Sequence, residues 1–92
     1  MVDKHFVNWM DQITDNVWLG DVRAASDPLL LEKHKITHLL SMGVKPTMVK
    51  DKIIKMFVNI EDEVDPILPH LDPCVNFMCQ AIKENGIILV HW

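Results

Sequence analysis

The carboxyl-terminal residues 87–90, followed by His91 and Trp92, constrain the fold more than any other segment of the chain. Four consecutive apolar residues after Gly86 are typical of a parallel strand covered by helices on both faces, because such strands show continuous rather than alternating hydrophobicity. In doubly wound sheets, ligands bind beyond the carboxyl ends of these strands. The sequence therefore predicts an α/β fold with a site close to His91.

Three other apolar segments predict the remaining strands. Residues 13–19 indicate two short strands around a turn at Asp15 and Asn16. These two residues favour turns, and the bulky apolar side chains that follow them favour a β-strand. Residues 36–42 and 56–60 indicate two more strands. Between them the chain is basic, with Lys45, Lys50, Lys52 and Lys55 forming a solvated stretch that could contact a phosphorylated partner.

Two helices are predicted between these strands. Asp27 and Pro28 are a capping residue and a proline at the first helical position, so a helix is expected from there to about Lys35. A second helix carries apolar residues at three- and four-residue spacing over 67–82, with a kink or a new start expected at Pro73. Asn85 and Gly86 are a good C-terminal cap pair, so this helix is expected to end there. Alternating strands and helices with short connections predict a central, mostly parallel sheet with flanking helices.

Composition restricts the class of protein. The 92 residues carry a formal net charge of −4, which disfavours nucleic-acid binding because that function needs a basic face. No apolar stretch approaches the roughly 20 residues of a membrane span, and the amino terminus lacks a signal-peptide pattern. We expect one domain, or part of one, in the cytosol or the nucleus, with no membrane attachment.

The cysteines and histidines predict neither a metal site nor a cofactor. Cys74 and Cys79 are five residues apart on the second helix, so they point in different directions and are expected to be two buried thiols. The entrance to a strand separates His34 from His38, so the two side chains are not expected to share one face of a helix. A zinc site is therefore not expected there.

Several segments, taken in order, resemble the dual-specificity protein phosphatases, and most closely the VH1-like subgroup with a C-terminal zinc-binding domain. They are ITDNVWLG at 13–20, AA at 24–25, ITHLL at 36–40, FVNIED at 57–62, HLDPCVNF at 70–77 and GIILVH at 86–91. The resemblance implies an amino-terminal extension over residues 1–12 and the amino-terminal part of a phosphatase domain over 13–92.

The resemblance also implies an activity and a set of site residues. Members of this family hydrolyse phosphotyrosine and phosphoserine/threonine in proteins through a cysteinyl-phosphate, using a histidine-cysteine pair followed by five residues and an arginine. Asp62 matches the general acid and His91 matches the histidine before the nucleophile. Trp92 stands at the nucleophile position, where it cannot function.

Three interpretations follow from this departure. The chain could be an inactive, truncated form of a phosphatase, a pseudophosphatase or regulatory fragment, or an unrelated α/β interaction module. The first interpretation implies a partial cysteine-phosphatase fold that lacks the helices after the phosphate loop. That fold would expose apolar sheet surface and favour non-specific self-association or partner binding.

Overall fold

Five strands form one sheet in the computed structural model, which describes residues 9–59 and 68–92. The strands are β1 (Met10–Gln12), β2 (Val17–Gly20), β3 (His38–Met42), β4 (Ile54–Val58) and β5 (Ile88–His91). The helices are α1 (Val22–Ala25), α2 (Pro28–Lys33) and α3 (Leu68–Lys83). The spatial order of the strands is β1-β2-β5-β3-β4. Only β1 runs antiparallel to its neighbour, so the predicted mostly parallel α/β sheet is confirmed.

The apolar strand β5 lies at the centre of this sheet. Ile88 and Leu89 are fully buried, and β5 pairs in parallel with β2 on one side and with β3 on the other. This placement explains the continuous hydrophobicity of the segment, because both faces of the strand are covered.

The core is divided between the two faces of the sheet. On one face Leu39 and Leu89 pack with Ala24, Ala25 and Leu31 of α1 and α2. The opposite face buries a second cluster against α3, with members Leu40, Val58, Cys74, Ala81 and Ile88. Successive residues of a strand point to alternate faces of the sheet. These two clusters therefore show which face each neighbouring strand residue occupies.

The strand boundaries differ from the predicted ones. The hairpin predicted over 13–19 exists, but its first strand is Met10–Gln12, so the sheet begins within the segment assigned to an extension. Ile13 instead starts the turn, where its amide and that of Thr14 bond to the Val17 carbonyl. The fourth strand also begins earlier than predicted, at Ile54, because it pairs in register with β3 from His38 onward.

The start of α2 agrees with the prediction, whereas the starts of α1 and α3 do not. Asp27 caps α2 through a bond from the Leu30 amide, and Pro28 occupies the first turn, as predicted. The short helix α1, which Asp21 caps, was not predicted as a separate element. The new start at Pro73 is wrong, since α3 continues from Leu68 to Lys83 with the proline inside it. Burial of later residues such as Ala81 stabilises the helix despite the hydrogen bond that proline removes.

The predicted end of α3 at Asn85 and Gly86 is confirmed, and its geometry is that of a Schellman motif. The Gly86 amide bonds to the Ala81 carbonyl and the Asn85 amide to the Ile82 carbonyl. Asn85 takes the left-handed conformation with φ 62°. The adjacent Gly86 is required for a different reason, since a Cβ there would collide with the Thr37 hydroxyl and lie 3.0 Å from the His38 ring.

Gly86→Ala is expected to lower the free energy of unfolding by about 1–3 kcal/mol, the usual cost of overpacking. Thr37 cannot yield easily, because its hydroxyl accepts a 2.9 Å bond from the Ile87 amide and donates a 3.1 Å bond to the Ile87 carbonyl. Urea denaturation measures the change. The matched control is Asn85→Gly, which suits the left-handed position and should not destabilise the chain. Equal losses in both variants would contradict the steric explanation.

Candidate functional site

The carboxyl ends of the three parallel inner strands meet at one edge of the sheet. Gly20 of β2 is in register with His91 of β5, which in turn is in register with Ser41 of β3. Ser41 is also in register with Phe57 of β4. These four positions lie on the α1 and α2 face of the sheet, and they bring one histidine and one hydroxyl together at the expected site edge.

His91 is completely buried at this edge. Its Nε2 atom and the Ser41 Oγ atom share a 2.6 Å hydrogen bond, and Ser41 is itself buried. The Nδ1 atom of His91 has no hydrogen-bond partner among the described residues. Buried polar atoms are nearly always satisfied, and leaving one unsatisfied costs about 1–3 kcal/mol. The ring is therefore fixed on one side by Ser41 and has a second nitrogen able to hold another group.

Burial lowers the pKa of His91, because desolvation disfavours the imidazolium form. The Trp92 backbone and the Asp21 carboxylate act in the opposite direction without offsetting it. The imidazole is thus neutral at neutral pH and can donate from only one nitrogen. The ring therefore adds no positive charge at this edge of the sheet.

Asp21 follows β2 and organises the chain beside His91. Its carboxylate accepts bonds from the backbone amides of Arg23 and Ala24, which caps α1, and a 2.6 Å bond from the Arg23 guanidinium. Burial acts to raise the pKa of Asp21, but the Arg23 side chain and the two amides outweigh it, so the net pKa is lowered. This carboxylate therefore remains ionised and serves as a helix cap.

Two further site residues were predicted from the sequence. Asp62, the predicted general acid, lies outside the described residues. Trp92 follows His91 and is 61% exposed, so it does not complete the core.

The two cysteines are not brought to this edge. Cys74 is buried on the α3 side of the sheet, the face opposite His91, and burial raises the pKa of its thiol. A thiol of raised pKa is a poor nucleophile at neutral pH. The prediction that both thiols are buried holds for Cys74 and is wrong for Cys79, which is exposed because it lies on the outer side of α3.

The predicted separation of His34 from His38 is confirmed. His34 ends α2 and packs its ring 4.5 Å from that of Trp18, whereas His38 bonds to Glu84 on the other face. Within residues 9–59 and 68–92 no three histidine, cysteine or acidic side chains gather closely enough to hold a metal ion. None of the helices described there is long and apolar enough to cross a bilayer.

The comparisons with known proteins agree with this geometry. Dual specificity protein phosphatase 1 of Arabidopsis thaliana is 30% identical over 81 residues, which cover 86% of this chain and 41% of that protein. The mouse dual specificity protein phosphatase 15 is 31% identical over 85 residues, covering 91% of this chain and 36% of the relative. No protein-family model matches the chain.

A solved structure shows the same fold. A crystal structure of DUSP15 superposes with a TM-score of 0.81 and 29% identity, covering 89% of this chain and 53% of that one. Sequence and fold both define a phosphatase-type α/β sheet. Over most of its length the chain is similar to dual specificity protein phosphatases, and it spans about two fifths of the length of the curated relatives named above.

Two residues of the site were missed by sequence reasoning. Ser41 lies 50 positions before His91, and only the strand register brings the two together. Asp21 had a readable signal, because an aspartate that directly follows a strand and precedes alanines is typical of a helix cap.

The free energy of unfolding is expected to decrease as the pH falls from 7 to 5. Because the pKa of His91 is lower in the folded state than the ordinary value of about 6.5, the unfolded chain binds the proton first. One such group contributes up to about 1.4 kcal/mol per pH unit in this window. His91→Gln, which keeps a hydrogen-bonding group for Ser41, should reduce the decrease measured by urea denaturation.

The matched control is His34→Gln. In this variant His91 is intact, so the free energy of unfolding should still show the decrease between pH 7 and pH 5 that is due to His91. Glu32 and Glu84 do not interfere, since their pKa values are lowered from about 4.5 and therefore lie below the window. An unchanged pH dependence in His91→Gln would contradict the assignment of a buried neutral imidazole.

Proposed function

We propose that this chain contributes the sheet strands and the general acid to a dual-specificity phosphatase active site. Such a site removes phosphate from phosphorylated protein side chains by way of a cysteinyl-phosphate intermediate. The observation that carries the proposal is His91, wholly buried at the carboxyl end of the central strand with Nδ1 unpartnered among the described residues. A residue that follows this strand directly is placed at the edge where ligands bind in such sheets.

His91 has a positioning role in this proposal. Ser41 holds Nε2, which leaves Nδ1 to bond a backbone group of a phosphate-binding loop. A loop anchored in this way can direct its amides at the phosphate oxygens, where preorganised donors stabilise the charge that develops in the transition state. The neutral ring suits this task, because it adds no charge to compete with the loop for phosphate.

Asp62 is proposed as the general acid. It lies four residues after Val58, the last residue of β4, and β4 ends at the same edge as β5. An acid at this edge could protonate the leaving oxygen of a substrate attacked from the end of β5. The name of each curated relative described above includes phosphatase activity, which favours this function over a non-catalytic interaction module.

The proposed reaction also requires a nucleophilic cysteine and an arginine that binds the phosphate. Arg23 is the single arginine of the sequence and precedes both cysteines, so the 92 residues contain no cysteine followed six positions later by arginine. Phosphate monoester hydrolysis needs up to ~10²¹-fold acceleration, or about 28 kcal/mol. General acid catalysis supplies about 10²–10⁴-fold of this. The thiolate, the amide loop and the arginine must therefore supply the rest.

The remaining expectations are part of the same proposal. Phosphoproteins are the proposed substrates, the cytosol or nucleus the proposed location, and the subgroup with a C-terminal zinc-binding domain the proposed branch of the family. Zinc analysis of the protein purified from its natural source would test the last point.

A polypeptide of these 92 residues is expected to hydrolyse an aryl phosphate no faster than buffer does, because Trp92 supplies no thiolate. The measurement is release of a chromogenic phenol over hours at high protein concentration. Turnover that disappears in Asp62→Ala would contradict the requirement for a cysteine after His91.

A chimera tests the site itself. Trp92→Cys, extended by the phosphate loop, arginine and following helices of a related phosphatase, should hydrolyse aryl phosphates. Asp62→Asn in this chimera should lower kcat by about 10²–10⁴-fold for a leaving group that needs a proton. It should still form a cysteinyl-phosphate with a substrate whose leaving group needs none, which mass spectrometry can detect.

The matched controls are Glu61→Gln and Asp65→Asn, which remove neighbouring acids from the same segment. Both should retain most of the activity. Full activity in Asp62→Asn with loss in either control would transfer the acid role to that neighbour. An inactive but folded chimera would contradict the proposed function.

A further inference from the structure

A second concave site lies beside the β3 and β4 strands, on the face that also carries Ser41. Its cavity measures about 380 Å³, which is within the usual range for small-ligand pockets. The segment between β3 and β4 closes one side of the cavity. The lining includes Leu39, Ser41, Lys45, Val49, Lys55 and Phe57.

Two lysines give this cavity a positive charge. The Lys45 ammonium lies 4.9 Å from the centroid of the Phe57 ring, and the Lys55 ammonium donates a 2.9 Å bond to the Ile53 carbonyl. Neither forms an ion pair with a carboxylate among the described residues, whereas Lys50 nearby is paired with Glu32 at 2.6 Å. Two cations without an ion pair in the described part of the chain thus lie at one cavity, although the whole chain carries a net charge of −4.

The remaining walls are apolar. Leu39 is fully buried, Val49 is half-buried, and Phe57 is 38% exposed. A ring that already accepts a cation on one face can contact an aromatic ligand along its edge or free face. The cavity therefore combines apolar contact area with a localised positive charge, which selects a ligand with an aromatic body and one anionic group.

We propose that this cavity binds a small aromatic anion, with its ring against Phe57 and Val49 and its carboxylate or phosphate between Lys45 and Lys55. The cavity adjoins the proposed catalytic edge, but His91 is not among its lining residues, so failure of this proposal would leave the proposed function unaffected. It shares two residues with that edge, since Ser41 bonds to His91 and Phe57 is in register with Ser41.

The test uses 2-naphthoate as the probe and amide resonances of the 92-residue chain as the readout. We expect shifts at Leu39, Ser41 and Phe57 that saturate with a Kd of about 1 mM, as ligand efficiency predicts for a molecule of this size. The neutral isostere 2-naphthamide should bind about 10-fold more weakly. Inorganic phosphate, added as a salt control, should not reproduce the pattern.

Substitution of the cations is the decisive comparison. Lys45→Met and Lys55→Met should each weaken binding of 2-naphthoate about 2–5-fold, the range expected for exposed ion pairs. The matched control is Lys83→Met, an exposed lysine at the end of α3 and outside the cavity lining, which should leave the Kd unchanged. All three changes are at solvent-exposed positions, so the fold can be checked by its unchanged amide spectrum.

Three results would overturn the proposal. They are equal affinity for the acid and the amide, an unchanged Kd in the Lys45→Met and Lys55→Met double variant, and shifts scattered over residues outside the cavity. The last result would indicate adventitious binding only. Weakened binding in the cavity variants with normal binding in Lys83→Met would establish the site.

Discussion

The parallel pairing of β5 between β2 and β3 is the contact on which the sheet depends. β2 and β3 do not pair with each other, so without β5 the β1-β2 hairpin and the β3-β4 pair would be two separate ribbons. Two-stranded units of this kind are marginally stable in water. The entry to β5 is correspondingly constrained, since the Thr37 hydroxyl bonds to Ile87 and no Cβ fits at Gly86.

This central pairing also determines the chemistry of the edge. The register that buries Ile88 and Leu89 places His91 opposite Ser41, and the resulting 2.6 Å bond fixes the imidazole. Desolvation at the same position lowers the pKa of His91 and keeps the ring neutral. One set of packing interactions thus holds the two halves of the sheet together and orients the residue that precedes the proposed nucleophile position.

The sequence predicted those features whose causes are local. The apolar run of β5, the cap and proline of α2 and the end of α3 at Asn85 each follow from a few neighbouring residues. The partnership of Ser41 with His91 could not be predicted, because it depends on strand register across 50 residues. Pro73 was misjudged for a related reason, since packing against the sheet stabilises a helix that propensity alone would interrupt. Asp62 lies outside the described residues and stays a prediction.

In the proposed function, β5 delivers the residue after His91 to the position of a phosphatase nucleophile. A crystal structure of the chain with Trp92→Cys and an added phosphate loop, grown with vanadate, would show where that residue lies. We expect the sulfur of residue 92 to contact vanadium, with His91 Nε2 still bonded to Ser41 and Nδ1 bonded to the loop backbone. An ordered vanadate bound elsewhere, or a His91 ring turned away from Ser41, would contradict the claim.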